Sequence, residues 1–114
     1  MTPLARVDVE WHGDTPVAAV AGEIDASNVA DIAAALRNLV TNRSAELVVD
    51  LSPTGYLDSA GINLMFSLGD ELRSRQLTLR LVIQPASAVA RMLSITSLDR
   101  VHPTYPTVAE ALSA

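Results

Sequence analysis

Leu47-Val48-Val49-Asp50-Leu51-Ser52-Pro53-Thr54-Gly55-Tyr56-Leu57-Asp58-Ser59-Ala60-Gly61-Ile62 carries the chain from a short apolar run to the start of a long amphipathic segment. Leu47 to Leu51 is apolar and β-branched with one Asp, as expected of a central strand covered on both faces. Ser52-Pro53-Thr54-Gly55 has the Pro and Gly punctuation of a loop. From Ala60 to about Ser74 the period changes to that of a helix. Ile62, Met65, Phe66, Gly69 and Leu72 form one stripe, which Leu64 and Leu68 widen. Met65 at this spacing belongs to the core. Leu77, Leu79, Leu81 and Ile83 then alternate as a strand, and Pro85 closes it. Strand, helix and strand make a βαβ unit, parallel with a right-handed crossover.

Upstream, Val7, Val9 and Trp11 alternate with Asp8 and Glu10 as a half-buried strand, and Trp11 is expected to cover the sheet or hairpin. His12-Gly13-Asp14-Thr15-Pro16 is a turn, and Val17 to Ala21 is the returning, antiparallel strand. Gly22 ends it, Glu23-Ile24-Asp25-Ala26 connects, and Ser27 is the expected N-cap of the next helix. Val29, Ile32, Ala33, Leu36, Leu39 and Val40 give that helix its apolar face. Thr41-Asn42-Arg43-Ser44 is polar and breaks it. Downstream, Val89, Met92 and Leu93 mark a short helix, and a brief strand is expected at Val101. Thr107-Val108-Ala109-Glu110 matches a capping box that starts a last helix at Val108. The fold class is α/β. A single mixed β-sheet of about four to five strands carries about four helices, in the order β-β-α-β-α-β-α-(β)-α.

The 114 residues suit one domain, which can hold a core without staples. There is no Cys, so disulfides, thiolate metal sites and Cys nucleophiles are excluded. Thirteen acidic against eight basic residues leave a net charge of −5, unsuited to nucleic acid or anionic lipid and suited to a basic protein partner. No signal peptide is readable at Met1-Thr2-Pro3-Leu4, and no apolar run approaches the roughly 20 residues of a membrane helix. A cytoplasmic location is expected. His12 and His102 have no ligand spacing between them, so no metal is expected. The glycines form neither a dinucleotide fingerprint nor a phosphate loop, so no cofactor is expected.

The chemistry concentrates at Asp58-Ser59-Ala60-Gly61. A hydroxyl at a helix start can cap the helix, act as a nucleophile or accept a phosphate. The N–H groups of Ala60, Gly61 and Ile62 are expected to be the orphan donors of the helix, with Ser59 placed to cap them. A phosphate on Ser59 would add about −1.5 to −2 charge at those donors, which tolerate it. Asp58 adds a neighbouring charge. Gly61, without a side chain, is expected to admit a partner's backbone. A hydrolase reading lacks Gly-x-Ser-x-Gly and lacks a group to orient His12 or His102 as a base.

The run Val48-Val49-Asp50-Leu51, the loop, Asp58-Ser59-Ala60-Gly61-Ile62 and the apolar helix resemble the STAS domain, and more closely the stand-alone bacterial anti-sigma factor antagonists. Val20-Ala21-Gly22-Glu23-Ile24-Asp25 is similar to that family's segment at the end of the second strand. Val89-Ala90-Arg91-Met92-Leu93, Ser97-Leu98-Asp99-Arg100-Val101 and Val108-Ala109-Glu110-Ala111-Leu112 fit its tail. The likeness spans almost the whole chain, read as one STAS domain over 1–114. It implies a switch in which the unphosphorylated protein binds an anti-sigma factor that is also a serine kinase with a GHKL-type ATP site. Sigma factor is thereby released. Phosphorylation of Ser59 breaks the complex, and a PP2C-type phosphatase restores it. It implies partner contacts at Asp25, Asp58, Ser59, Ala60, Gly61 and Ile62, with Ser59 the phosphoacceptor and no catalytic residue. A monomer suits such exchange. Ala60 stands where the family often has a second Ser, and Pro53-Thr54-Gly55-Tyr56 is an unusual lead-in. The same fold also serves non-switching subunits of lipid-transport complexes or signalling scaffolds.

Overall fold

The structure, a computed structural model, describes residues 4–41 and 44–114. Asn42 and Arg43, in the predicted helix-breaking segment, and Met1-Thr2-Pro3 lie outside the described residues. Strands β1 (Ala5–His12) and β2 (Thr15–Ile24) form an antiparallel hairpin, with Val7 opposite Val20 and Val9 opposite Ala18. Helix α1 (Val29–Arg37) leads to β3 (Glu46–Asp50). A short strand β4 (Thr54–Leu57) precedes the long helix α2 (Ser59–Ser74), and β5 (Thr78–Val82) follows it. Helix α3 (Ala88–Ile95), the single turn α4 (Leu98–Val101), strand β6 (Thr104–Tyr105) and helix α5 (Val108–Ser113) complete the described chain. One mixed sheet runs β1-β2-β3-β5-β6, and β4 pairs with β2 off that path. All pairings except the hairpin are parallel.

Helices α1, α2 and α3 cover one face of the sheet. There Ala18, Val20, Leu47, Val49 and Leu81 meet Leu36, Met65, Leu68 and Leu93 in the main core. Alternation sends Val17, Val48 and Val82 to the other face, where they pack with Ala111 of α5. Arg80 on this second face pairs with Glu46 and donates to the Ala111 carbonyl at 3.0 Å, tying α5 to the sheet. Met65 is fully buried, as its helical spacing predicts. The capping box at Thr107 forms, with its hydroxyl accepting from the Glu110 N–H at 3.1 Å.

Three local expectations need correcting. Thr54 and Gly55, read as loop, begin strand β4. The 10-residue β2 outruns the 5-residue β3, which pairs only with Val17 to Ala19. Strand β4 pairs with the remainder, with Gly22, Glu23 and Ile24 opposite Thr54, Tyr56 and Leu57. This satisfies backbone groups that β3 leaves bare, and the buried Thr54 hydroxyl donates to the Val20 carbonyl at 2.6 Å. The brief late strand falls at Thr104–Tyr105, while Val101 ends the α4 turn. The sheet therefore has six strands. Trp11, expected to cover the sheet or hairpin, is 50% exposed near the hairpin end of β1.

Candidate functional site

Ile24 at the end of β2 lies opposite Leu57 at the end of β4, so the residues that follow them emerge side by side. From β2 come Asp25 and the turn into α1. From β4 come Asp58 and the start of α2. The Asp58 N–H donates to the Ile24 carbonyl at 3.1 Å and joins the two exits. The chain thus brings Asp25 and Ser59, distant in sequence, to one end of the sheet.

The N-cap of α2 is Asp58, not Ser59. Its Oδ1 accepts from the N–H groups of Ala60 at 2.9 Å and Gly61 at 3.2 Å, and its backbone carbonyl accepts from Ile62 at 3.0 Å. The three donors expected to be orphans are therefore taken. Both Asp and Ser are preferred caps. Asp58 takes the role because its backbone is extended, with φ −91° and ψ −169°, while Ser59 is already helical. Displaced from the cap, Ser59 is exposed, and its hydroxyl has no hydrogen-bond partner among the described residues. Ala60 is half-buried beside it.

Gly61 turns inward, contrary to its expected role of admitting a partner. A Cβ there would stand 2.9 Å from Leu57 Cβ and 3.1 Å from Ile24 Cγ2. The missing side chain lets α2 seat on the ends of β2 and β4. Ile62 is likewise buried in the main core. Of the six predicted contact residues, Asp25, Asp58, Ser59 and Ala60 reach the surface, and Gly61 and Ile62 support them from below.

Asp25 anchors the neighbouring turn. Its Oδ1 accepts from the Ser27 hydroxyl and from the Ser27 N–H at 2.9 Å, and its own N–H donates to Asn28 Oδ1 at 2.9 Å. Ser27 therefore does not cap α1; Asn28 stands at that position. The Asn28 amide also donates to the Glu23 carbonyl at 2.8 Å. The Ser27 hydroxyl first, then the Ser27 N–H, hold the Asp25 carboxyl below its ordinary value, against an opposing effect of burial. Glu23, Asp25 and Asp58 face this end of the molecule, and none forms an ion pair among the described residues.

Neither histidine reaches Ser59. His12 ends β1 at the hairpin, the opposite end of β2 from Ile24. His102 packs on Gly69, ten residues and about 15 Å of helix beyond Ser59. Among the described residues no group of three or more His, Cys, Asp or Glu is placed to hold a metal ion. None of their helices is long and apolar enough to cross a membrane.

A six-stranded mixed sheet of this order, with an Asp-capped helix following β4, defines a class of domain. Residues 6–111 match the STAS domain family, and the chain belongs to it. The anti-sigma-F factor antagonist RsfB of Mycobacterium tuberculosis is 26% identical over 107 residues, covering 94% of this chain and 86% of RsfB. The crystal structure of an anti-sigma factor antagonist from Mycobacterium paratuberculosis superposes with a TM-score of 0.85 at 28% identity, covering 96% of this chain and 92% of that one. The antagonist SpoIIAA in its unphosphorylated form shares the fold, with a TM-score of 0.74 at 20% identity over 94% of this chain and 93% of that one.

Proposed function

We propose that residues 1–114 act as a single STAS module, an anti-sigma factor antagonist switched by phosphorylation of Ser59. The observation that carries this reading is the division of labour at the start of α2. Asp58 saturates the N–H donors of Ala60 and Gly61, leaving the Ser59 hydroxyl exposed and without a hydrogen bond among the described residues. Modification therefore has an accessible oxygen, and the cap does not have to break. The names of the similar proteins supply the kind of partner, an anti-sigma factor.

The unphosphorylated surface docks on the anti-sigma factor and releases sigma factor. That anti-sigma factor is also a serine kinase with a GHKL-type ATP site. The Ser59 Oγ attacks the γ-phosphorus of ATP, its proton passes to a kinase base, and ADP leaves. The product carries about −1.5 to −2 charge next to Asp58, and close to Asp25 and Glu23. With the nearest helix donors already occupied by Asp58, the phosphate points to solvent. Docking would force a bulky dianion into a surface fitted to the neutral Ser59 hydroxyl, adding a steric clash and a large desolvation cost. A PP2C-type phosphatase hydrolyses the ester and restores the surface. The chain is substrate and ligand, not catalyst, and acts as a cytoplasmic monomer without cofactor. Incubation with the purified kinase and ATP, followed by phosphopeptide mapping, tests this. Phosphate is expected on Ser59 and absent from Ser59→Ala, which still binds the partner. Phosphate found only elsewhere, or none, contradicts the reading.

A further inference from the structure

A specific protein interface of standard size buries about 800 Å² on each partner. The exposed parts of Asp58, Ser59 and Ala60 are far too small to supply that, so docking at Ser59 has to extend onto neighbouring surface. One direction of extension is distinctive. The Glu23 N–H donates to the Leu4 carbonyl at 3.0 Å, and Glu23 is the register partner of Tyr56. Leu4, Glu23 and Tyr56 therefore stand in a row across three adjacent segments of chain. Leu4 and Tyr56 are each 47% exposed, and Glu23 between them is exposed as well. The row ends two residues before the cap Asp58 and borders the Asp25 turn.

Tyr56 is held in place by its backbone. Its neighbours Thr54 and Leu57 are buried, and β4 is fastened to β2 at both ends. Its ring is left outward, and its hydroxyl has no hydrogen bond among the described residues. A rigidly based aromatic with two side-chain torsions loses little entropy on docking, which is why such residues act as interface anchors.

Resting on the reading of Ser59 as the switch, we propose that the Leu4–Glu23–Tyr56 row is the second half of the anti-sigma factor's docking surface, with Tyr56 as its anchor. The partner surface that fits is an apolar slot for Tyr56 and Leu4, rimmed by Lys or Arg side chains facing Glu23, Asp25 and Asp58. Charge complementarity supports this occupant. Among the described residues the rim carboxylates form no ion pair, and the net charge of the chain is −5. The row gives affinity and partner choice, while Ser59 gives the on–off signal.

The test titrates the wild-type chain against a panel of purified GHKL-type anti-sigma factors from the same organism. The tightest binder is then used with variants. Tyr56→Ala is expected to weaken binding about tenfold or more, and Leu4→Ala to weaken it by a smaller factor. Tyr56→Phe should stay within about twofold, since the hydroxyl is unbonded. Melting temperatures of all three should stay within about 5 °C of wild type, because about half of each side chain is already exposed. A complex broken by Ser59 phosphorylation but unchanged by Tyr56→Ala overturns the row and leaves the switch standing. A complex weakened by Tyr56→Ala but indifferent to Ser59 phosphorylation supports the row and overturns the switch. No binding by any member of the panel overturns both.

Discussion

Helix α2 has a glycine and a polar neighbour in each half, and the two halves use them in opposite ways. In the first turn, Gly61 lets the helix seat against Leu57 and Ile24, and this holds Asp58 and Ser59 out at the surface. In the second half, Gly69 makes room for the His102 ring, whose atoms stand 2.1 to 2.7 Å from where a Cβ would be. His102 is buried, packs edge-on to Phe66 with ring centroids 6.4 Å apart, and has its Nδ1 3.3 Å from an Arg73 nitrogen. Both glycines permit close approach. At one end the result is an outward hydroxyl with no hydrogen bond among the described residues. At the other it is an inward imidazole, closed off from solvent. A polar residue beside a close-packed glycine thus ends at the surface or in the core according to which way the fold turns it.

The comparison breaks most visibly at Gly61. Gly61→Leu is expected to cost about 3 kcal/mol or more, because the atoms a side chain meets are next to the backbone and cannot swing away. Urea denaturation should show the loss directly. Full stability with impaired docking would mean that Gly61 faces the partner after all. Gly69→Ala comes next, at about 1–3 kcal/mol. The new methyl displaces the His102 ring, and the helix propensity gained on replacing Gly offsets only about 1 kcal/mol. Unchanged or raised stability would show that the ring is not fixed there.

A smaller effect comes from pH. Burial first, then the Arg73 charge, hold the His102 imidazole below its ordinary value of 6.5, against an opposing pull from Asp70. Its folded-state pKa is lower than its unfolded one, so the unfolded chain takes up the proton first. The contribution of neutral His102 is whole above about pH 6.5. It falls as pH drops below that value and levels off below the folded-state pKa. Urea midpoints between pH 8 and 5 should decline accordingly, and His102→Gln should flatten that part of the curve. An identical slope in the variant would assign it to other groups. Asp25 has the same sense in a lower pH window. Its carboxyl is held below the ordinary value, so its turn is intact above about pH 4 and loosens only in stronger acid.

Much of this was readable from residue order. The β3–α2–β5 unit follows from an apolar run, a helical stripe and an alternating run, and the structure reproduces it. The inward turn of Gly61 was also present in the pattern. It lies four residues before Met65 and seven before Leu68, on the buried stripe of α2. The choice of cap was not readable, since Asp58 and Ser59 are both good caps and only the backbone angles separate them. Strand β4 was hidden by Pro53 and Gly55, which read as loop, and by its dependence on an unpaired length of β2. The Gly69–His102 contact joins residues 33 apart through packing alone, so no local signal announces it.

Phosphorylation of Ser59 is expected to be read on the surface and to leave the fold alone. The most direct test compares unphosphorylated and Ser59-phosphorylated protein for partner affinity and thermal stability in the same buffer. The expected result is an affinity loss of about 100-fold or more, with the melting temperature shifted by no more than about 3 °C. Unchanged affinity, or a melting temperature that collapses along with binding, would contradict it.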